Sequence, residues 1–338
     1  MSRVCIVPRV EGLAGMASFR LKFEEGLRRR GVDVTHDLST PADAVLVIGG
    51  TRALLPLWKA RRRGVRIVQR LDGINWVHRR LHTGWRHALR AEYGNFILSF
   101  IRSRLAGRII YQSDFARRWW EGWYGATRVP FSAVLNGVDL QFYTPEGPGE
   151  RPHDRTRLLL VEGNLGGGYE MGLDHAIALA ERLQEQHGFP MELMCVGRIA
   201  EAQRLQAESR SRVPIRWGGS QPRERIPGID RSAHILFSAD LHAACPNSVV
   251  EALACGLPVA SFDTGALSEL VQGDAGRIVP YGGDPWKIDP PDIPSLASAC
   301  VEILRDPDRF RRAARLRAES ALGLDQMVDA YLKVLLER

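Results

Sequence analysis

Short apolar runs and amphipathic segments alternate regularly along the chain. In the first half, runs of four to six residues predict buried strands, and helical spacing of apolar positions between them, as at Phe19, Phe23 and Leu27, predicts helices. The strands are predicted at 3–8, 32–36, 44–48, 65–70, 108–111 and 131–135, and the helices at 18–30, 51–63, 85–105 and 113–123. Strands that alternate with helices predict a parallel sheet flanked by helices, a doubly wound α/β domain.

The alternation restarts after residues 141–156, which are rich in Pro, Gly and charge and form the best linker candidate. Strands are predicted at 157–162, 191–196, 213–217, 234–238, 257–261 and 277–279, and helices at 172–187, 198–210, 248–255, 295–305 and 308–320. We therefore predict two Rossmann-like domains in tandem, at 1–145 and 146–323. An amphipathic helix in the last segment, 324–338, is expected to cross back to the first domain.

The composition is that of a globular protein. The chain has 338 residues, of which 45% are hydrophobic and 25% charged, so about two domains are expected and disorder, collagen and coiled coil are excluded. No apolar run approaches the ~18 residues of a membrane span, and the first apolar run is too short for a signal peptide. Five cysteines without a Cys-x-x-Cys pair predict free thiols and no metal site. We expect a cytoplasmic protein, either free or peripheral at the inner face of the membrane.

The net charge of +7 is unevenly distributed. Residues 1–150 contain 24 Lys and Arg against 13 Asp and Glu, a net of +11, whereas residues 151–338 contain 22 against 26, a net of −4. Eleven cations lie between Arg52 and Arg90 with one acid, Asp72, and the interleaved tryptophans are Trp58, Trp76 and Trp85. This pattern is typical of an anionic membrane surface or a lipid-linked acceptor, and a solvated face is the alternative. No nucleic-acid motif is present, so nucleic acid is not an expected partner.

Two loops of the first domain follow predicted strands. Gly12 and Gly15 lie between the first strand and helix, but the third glycine of a dinucleotide fingerprint is absent, so a tight turn and a ligand-facing loop are equally compatible. Asp72 lies at the end of a predicted strand, where it could act as a catalytic base or contact a sugar hydroxyl. A helix-capping aspartate is the alternative reading. Asn75 and His78 follow it and are assigned to the acceptor side.

Two loops of the second domain suit a phosphate. Five glycines in the segment 162–172 could present a cradle of backbone N–H groups, although the segment is not a P-loop and could be a flexible loop. In the segment 240–259, a helix begins near Asn247, so Ser248 and Val249 would offer N–H groups to an anion, and Glu251 lies one turn further on. Phosphate on the amides and a ribose diol on Glu251 make a coherent nucleotide site. A carboxylate favoured by the helix dipole is the alternative for Glu251.

Residues 247–271, NSVVEALACGLPVASFDTGALSELV, resemble the donor-site signature of the retaining nucleotide-sugar glycosyltransferases of family 4. The segments 134–145, VLNGVDLQFYTP, and 112–120, QSDFARRWW, resemble that family's interdomain hinge and the segment before it. The resemblance covers nearly the whole chain. It implies the GT-B fold, with two Rossmann-like domains facing across a cleft. It also implies retaining, metal-independent transfer of a sugar from a UDP- or GDP-sugar to a glycan, lipid-linked or small-molecule acceptor, with no cofactor.

The resemblance also implies roles for individual residues. Glu251 would bind the donor ribose, and the Asn247, Ser248 and Val249 backbone would hold the diphosphate. Gly15 would lie in the loop that approaches the donor phosphate from the first domain.

The chain departs from the family pattern at several of these positions. Ala243 stands where the family has its first acidic residue, Asn164 and Met171 stand where it has Arg and Lys, and Asp72 precedes Gly73 where it commonly has His. The candidates to compensate are Arg198, the amides of the glycine-rich loop, including Gly166 and Gly167, and Asp240. The alternative function is a catalytically weakened GT-B protein that acts as a binding or regulatory module.

Overall fold

The computed structural model describes residues 2–12, 15–165 and 170–337. The chain divides into two compact units. The first comprises Met1–Gly137 together with Leu324–Arg338, and the second comprises Val138–Gly323. Each unit contains one six-stranded sheet in which all the paired strands run parallel, as the alternation of strands and helices predicts.

The sheet of the first unit has the strand order β2-β1-β3-β4-β5-β6. Its strands are β1 Arg3–Val7, β2 Asp33–Thr35, β3 Ala44–Ile48, β4 Arg66–Leu71, β5 Arg108–Tyr111 and β6 Phe131–Ala133. Its helices are α1 Gly15–Arg29, α2 Leu54–Arg62, α3 Trp85–Phe100, α4 Asp114–Tyr124 and the C-terminal helix α12 Leu324–Leu336, with a short 3-10 helix at Val77–Arg79. A π-helical turn at Ile101–Leu105 extends α3 to the predicted end of that helix.

Successive residues of the central strands point to opposite faces, and both faces are covered. Val4 and Ile6 of β1 pack with residues of α1 and α12, whereas Cys5 and Val7 pack with residues of α2 and α3. The C-terminal helix belongs to this unit because Arg30 donates hydrogen bonds to the Asp325 and Asp329 carboxylates of α12, at 3.0 and 2.7 Å. In the structure α12 packs in the core of the first unit.

The sheet of the second unit has the strand order β12-β11-β10-β7-β8-β9. Its strands are β7 Thr156–Asn164, β8 Met191–Arg198, β9 Ile215–Gly219, β10 Ile235–Phe237, β11 Val259–Phe262 and β12 Gly276–Val279. Its helices are α5 Glu170–His187, α6 Glu201–Arg210, α7 Ile226–Arg231, α8 Asn247–Ala254, α9 Leu267–Leu270, α10 Ile293–Arg305 and α11 Pro307–Ala321, with 3-10 turns at Arg223–Arg225 and Gly273–Ala275. The short helices α7 and α9 were not predicted, because four to six residues are too few to establish a helical period.

The first boundary lies between Gly137 and Val138, not between residues 145 and 146 as predicted. The reason is that the segment 138–145 is bound to the second unit by its carbonyl groups. The Arg315 guanidinium on α11 donates to the carbonyl oxygens of Tyr143 at 2.7 Å and Leu140 at 3.1 Å, and the Tyr143 ring is buried. The Arg231 guanidinium donates to the Thr144 carbonyl at 3.0 Å. Its Pro- and Gly-rich composition therefore does not make this segment a free linker.

All five cysteines are buried free thiols. Among the helices of the described residues, none combines the length and the apolar character that crossing a lipid bilayer requires.

Tyr331→Ala should destabilise the first unit by about 3–5 kcal/mol, the usual cost of truncating a buried aromatic residue. The Tyr331 ring is fully buried, with centroid distances of 5.3 Å to Phe19 and 5.0 Å to Phe23. Urea unfolding followed by tryptophan fluorescence measures this change, since Trp58, Trp76, Trp85, Trp119, Trp120 and Trp123 all lie in this unit. Lys333→Ala, at an exposed position of the same helix, is the control and should leave the midpoint nearly unchanged. Equal midpoints for the two variants would contradict the role of α12 in this core.

Candidate functional site

The strands β7 and β8 of the second unit bring two predicted site residues together at the edge of the sheet where the strands end. Asn164 pairs with Arg198 in the strand register, and the Leu165 N–H donates to the Arg198 carbonyl at 2.8 Å. The exposed Arg198 guanidinium donates through Nε to the Gly163 carbonyl oxygen at 3.5 Å. A cation therefore lies against the start of the glycine-rich loop, beside the position where Asn164 replaces a family arginine.

Gly197 allows the ends of β7 and β8 to lie close together at this edge. Its φ is +147°, and a Cβ atom at this position would lie 2.1 Å from the Glu162 carbonyl oxygen. Because that distance is far inside van der Waals contact, only glycine lets the ends of β7 and β8 approach this closely. The predicted site residues Gly166 and Gly167 lie outside the described residues.

A pair of carboxyl groups, Glu162 and Asp240, lies at the ends of the neighbouring strands β7 and β10. The Ala239 N–H donates to the Glu162 carboxylate, and the start of α5 packs closely at the same place, since a Cβ on Gly172 would lie 2.9 Å from the Ala239 Cβ. Burial raises the pKa of both carboxyl groups, and the negative charge of Asp240 raises the pKa of Glu162 further. Both shifts favour the protonated form of these carboxyl groups over the ionised form.

Glu162 is the first residue of the glycine-rich segment 162–172 and is not among the site residues that the sequence predicts. The alternation of strands and helices could have identified Glu162, because this residue lies at the end of a predicted buried strand. A carboxylate that directly follows a buried strand lies at the carboxyl edge of the sheet, as does Asp240 after β10. Their pairing could not be read from the sequence, because it requires the strand order in which β10 lies next to β7.

The loop between β10 and α8 is held from two sides. His242 has a φ of +64°, is 4% exposed, and stacks on Trp286 with ring centroids 3.4 Å apart. Burial lowers the pKa of His242 to about 4, so its ring is neutral at physiological pH. On the other side the Ala266 N–H donates to the Ala243 carbonyl at 2.8 Å, and a Cβ on Gly265 would lie 2.5 Å from that same oxygen. Left-handed backbone at a residue other than glycine is typical of functional sites, where the surrounding packing maintains it.

This loop leads directly into the start of α8, where the sequence predicts an anion-binding site. The extended residue Pro246 is the N-cap of α8 and makes no side-chain capping hydrogen bond to the first turn. The first turn also lacks an acidic residue that would neutralise the helix dipole. The backbone N–H groups of Ser248 and Val249 therefore present partial positive charge at the carboxyl edge of this sheet, while the Val249 side chain is buried.

Glu251 lies one turn into α8 and is half-buried. Burial is the main cause of the raised pKa of Tyr143 and Asp230, and the nearby charge of Glu251 raises both pKa values further. Asp230 of α7 accepts a hydrogen bond from the Cys255 thiol. The Glu251 carboxylate thus lies close enough to Tyr143 and Asp230 for its charge to raise the pKa of both.

In the first unit, Asp72 directly follows β4 and is held through its backbone. The Trp120 Nε1 donates to the Asp72 carbonyl at 2.7 Å, and a Cβ on Gly73 would lie 2.7 Å from the Trp119 ring. Burial raises the pKa of the Asp72 carboxyl group, and the nearby Arg70 guanidinium opposes that rise. A carboxyl group with a raised pKa at a strand end has the properties that a catalytic base requires.

Asn75 and His78, which were assigned to the acceptor side, are both bound to α3. The backbone and side-chain N–H groups of Asn75 donate to the Asn95 Oδ1 at 3.0 and 3.1 Å. The His78 Nε2 lies 2.8 Å from the Glu92 carboxylate, which also accepts two hydrogen bonds from Arg79. Gly15, the other predicted residue of this unit, is the first residue of α1 and has a φ of +44°.

Comparison with known proteins gives one family match and several curated relatives. Residues 156–306 match the family described as glycosyl transferases group 1. The chain is 26% identical over 312 residues to a GDP-mannose-dependent alpha-(1-6)-phosphatidylinositol dimannoside mannosyltransferase of Mycobacterium tuberculosis, covering 83% of this chain and 77% of that protein. It is 25% identical over 160 residues to a 2-deoxystreptamine N-acetyl-D-glucosaminyltransferase of Streptomyces fradiae, covering 46% of this chain. The match spans only 36% of the length of that second relative.

Solved structures resemble the fold over nearly the whole chain. Sucrose-phosphate synthase from Thermosynechococcus elongatus has a TM-score of 0.76 at 15% identity, covering 99% of this chain and 98% of that one. The Anabaena protein HepE, solved in complex with UDP-glucose, has a TM-score of 0.71 at 14% identity, covering 99% of this chain and all of that one. At these identities the likeness shows the fold, which is the two-domain Rossmann-like GT-B arrangement of strands and helices.

The carboxyl pair makes the stability of the chain depend on pH. In the folded chain burial raises the pKa of Glu162 to about 8 and that of Asp240 to about 7, against roughly 4 for an ordinary carboxyl group. As the pH rises through this window, the unfolded chain has already lost protons that the folded chain retains. The contribution of the pair to the free energy of unfolding is therefore fully present below about pH 4, and it is lost as the pH rises toward 8.

Glu162→Gln should remove much of this loss, because glutamine does not ionise. Thermal unfolding at about pH 5 and about pH 9 measures the difference for the variant and the parent chain. Glu224→Gln, at an exposed position of the same unit, is the matched control. An unchanged difference between the two pH values in Glu162→Gln would show that the pKa of Glu162 is not raised in the folded chain.

Proposed function

We propose that the chain transfers a sugar from a UDP- or GDP-sugar to an acceptor, with retention of configuration and without a metal ion, because residues 156–306 match the group 1 glycosyltransferases and the fold is GT-B. The observation that carries this proposal is the first turn of α8 at the carboxyl edge of the second sheet, where the N-cap Pro246 makes no side-chain capping hydrogen bond and no acidic residue lies in the turn. Arg198 and the strand end Gly163-Asn164 lie at the same edge. The HepE structure was solved with UDP-glucose, which supports a donor of this class.

In this proposal the diphosphate binds to backbone amides and Arg198. The N–H groups of Ser248 and Val249 and the Arg198 guanidinium supply the positive charge that Asn164 and Met171 lack. As the bond to the sugar breaks, negative charge develops on the leaving diphosphate, and donors that are already oriented stabilise it without reorganisation. Each charge-assisted hydrogen bond contributes roughly 1.5–3 kcal/mol, so these donors can offset the two missing cations.

The pair Glu162 and Asp240 is the proposed contact for the hydroxyl groups of the donor sugar. It lies in the same unit as the α8 turn and supplies carboxyl groups near the position where Ala243 has none. A pair that shares one proton offers a hydrogen-bond donor and several acceptors at once, which matches vicinal hydroxyl groups. Glu251 is proposed to accept hydrogen bonds from the ribose, as the family resemblance implies.

On the acceptor side we propose Asp72 as the catalytic base, with Asn75 and His78 supporting the acceptor loop through their bonds to α3. The mannosyltransferase relative is named for a phosphatidylinositol dimannoside, which supports a lipid-linked acceptor among the candidate classes. We propose a cytoplasmic location, free or peripheral at the inner face of the membrane.

A second candidate function is a binding or regulatory module with a weakened donor site. It is favoured by the absence of a carboxylate at position 243 and of cations at 164 and 171. The two functions differ in the release of nucleoside diphosphate. An active transferase releases it from the nucleotide sugar when an acceptor is present, whereas a binding module does not.

Ser248→Pro tests the α8 amides. It removes the N–H of the second helical residue, a position that Pro294 occupies in α10 of the same unit. Affinity for UDP or GDP, measured by calorimetry, should fall about tenfold or more, the effect of one lost charge-assisted hydrogen bond. Ser248→Ala keeps the N–H and loses only the hydroxyl, so its affinity should stay within a few-fold of the parent chain. If the parent chain binds neither nucleotide more tightly than millimolar, the donor site is refuted.

Asp240→Asn tests the carboxyl pair without requiring a known acceptor. Affinity for the nucleotide sugar should fall by roughly 10–100-fold, because a charged acceptor for the sugar hydroxyls is lost, whereas affinity for the free nucleotide should not change. Calorimetry with UDP-glucose or GDP-mannose beside UDP or GDP separates these effects, and Glu224→Gln serves as the control. A parallel loss of affinity for nucleotide and nucleotide sugar would place Asp240 away from the sugar.

A further inference from the structure

Helix α3 exposes an apolar stripe on the surface of the first unit. Trp85, Leu89, Tyr93 and Phe96 are 69%, 63%, 50% and 60% exposed. Their spacing places them within an arc of about 80° on the helix, at 100° per residue. The opposite face of α3 is already buried, through Ala91, Asn95 and Ile97. The stripe is therefore additional to the face that holds the helix on its sheet.

Helix α2 continues this apolar surface. Leu55 and Trp58, three residues apart, are 60% and 42% exposed. The Arg52 guanidinium carbon lies 5.9 Å from the Tyr93 ring centroid, which connects the start of α2 to the stripe. Leu57 of α2 and Ile97 of α3 pack in one core cluster beneath. We call the six exposed residues the α2–α3 surface: Leu55, Trp58, Trp85, Leu89, Tyr93 and Phe96.

Cations surround the α2–α3 surface. Arg62 lies 4.8 Å from the Trp58 ring and Arg86 lies 5.3 Å from the Trp85 ring. Among the described residues, no carboxylate forms a salt bridge with the five cations of this surface, which are Arg52, Lys59, Arg62, Arg86 and Arg90. The acid on the exposed side of α3, Glu92, is already bound by Arg79 and His78. The surface is therefore apolar at its centre and positive around it.

Several residues of the basic stretch 52–90 are not part of this exposed surface in the structure. Trp76 is 7% exposed and Arg70 is 2% exposed, so both belong to the interior. Arg66 donates to carbonyl oxygens at the end of α12. The α2–α3 surface therefore contains only part of the stretch 52–90. It also includes Tyr93 and Phe96, which lie beyond that stretch.

We propose that the α2–α3 surface docks on an anionic lipid bilayer. Aromatic and leucine side chains of this kind insert at the boundary of headgroups and acyl chains, while Arg and Lys reach the lipid phosphates. A second copy of the chain fits less well, because a twofold contact would bring the same five cations against their counterparts. The proposal does not depend on the proposed transfer reaction, since the residues of the donor site lie in the other unit.

Sedimentation of the full chain with vesicles tests the proposal. Vesicles of phosphatidylcholine with phosphatidylglycerol should bind the chain, and vesicles of phosphatidylcholine alone should bind it weakly. The triple variant Trp85→Ser, Leu89→Ser and Phe96→Ser should lower the partition coefficient at least about tenfold, because three large apolar groups no longer leave water. Arg86→Gln with Arg90→Gln should lower it about fivefold for each cation, on anionic vesicles only.

The matched control is Leu205→Ser with Leu316→Ser. These leucines are 56% and 63% exposed, but they lie in the second unit, so binding to vesicles should be unchanged. Urea unfolding followed by circular dichroism, measured on each variant, separates loss of docking from loss of folding. The proposal is overturned if the parent chain stays in solution with anionic vesicles, or if the triple variant binds them like the parent. It is equally overturned if the triple variant instead abolishes a dimer seen by sedimentation velocity while the parent binds no vesicles.

Discussion

The candidate site depends on a constraint of parallel sheets, in which every strand ends at the same edge. In the second unit this constraint collects the ends of β7, β8 and β10 and the start of α8, although the end of β7 at Asn164 and the start of α8 at Asn247 are 83 positions apart in the sequence. The close backbone contact at Gly197 then fixes the first two of these ends against each other. Any chemistry at this edge depends on that backbone, since the loops themselves are short or rich in glycine.

The charges at this edge are not the arrangement that a diphosphate site would suggest. Two carboxyl groups, Glu162 and Asp240, lie near a helix start, and the cation at the same edge, Arg198, is exposed. Because burial raises the pKa of both groups, the pair carries less negative charge near neutral pH than two ordinary carboxylates would. The raised pKa values and the missing family cations are thus consistent with one another, because fewer positive charges are needed where fewer negative charges are present.

Most of the fold could be predicted from the sequence, because apolar runs and helical spacing report burial directly. The parts that could not be predicted depend on contacts that are distant in the sequence. Tyr143 belongs to the second unit because Arg315, far away in the chain, binds its carbonyl oxygen. Likewise Glu162 gains its significance only from Asp240, and Trp76 loses its surface role because it is buried. A local pattern identifies residues that suit a site, whereas the strand order decides which of them meet.

The return of α12 to the first unit affects the order in which the chain can fold during synthesis. Residues 138–323 form a continuous unit, so all the contacts of the second unit are available once residue 323 has left the ribosome. Phe19 and Phe23 are synthesised near the start of translation, but they can contact Tyr331 only after residue 323 has left the ribosome. The part of the molecule that is synthesised first is therefore the last to complete its core, and its apolar α1 face stays uncovered while the rest of the chain is translated.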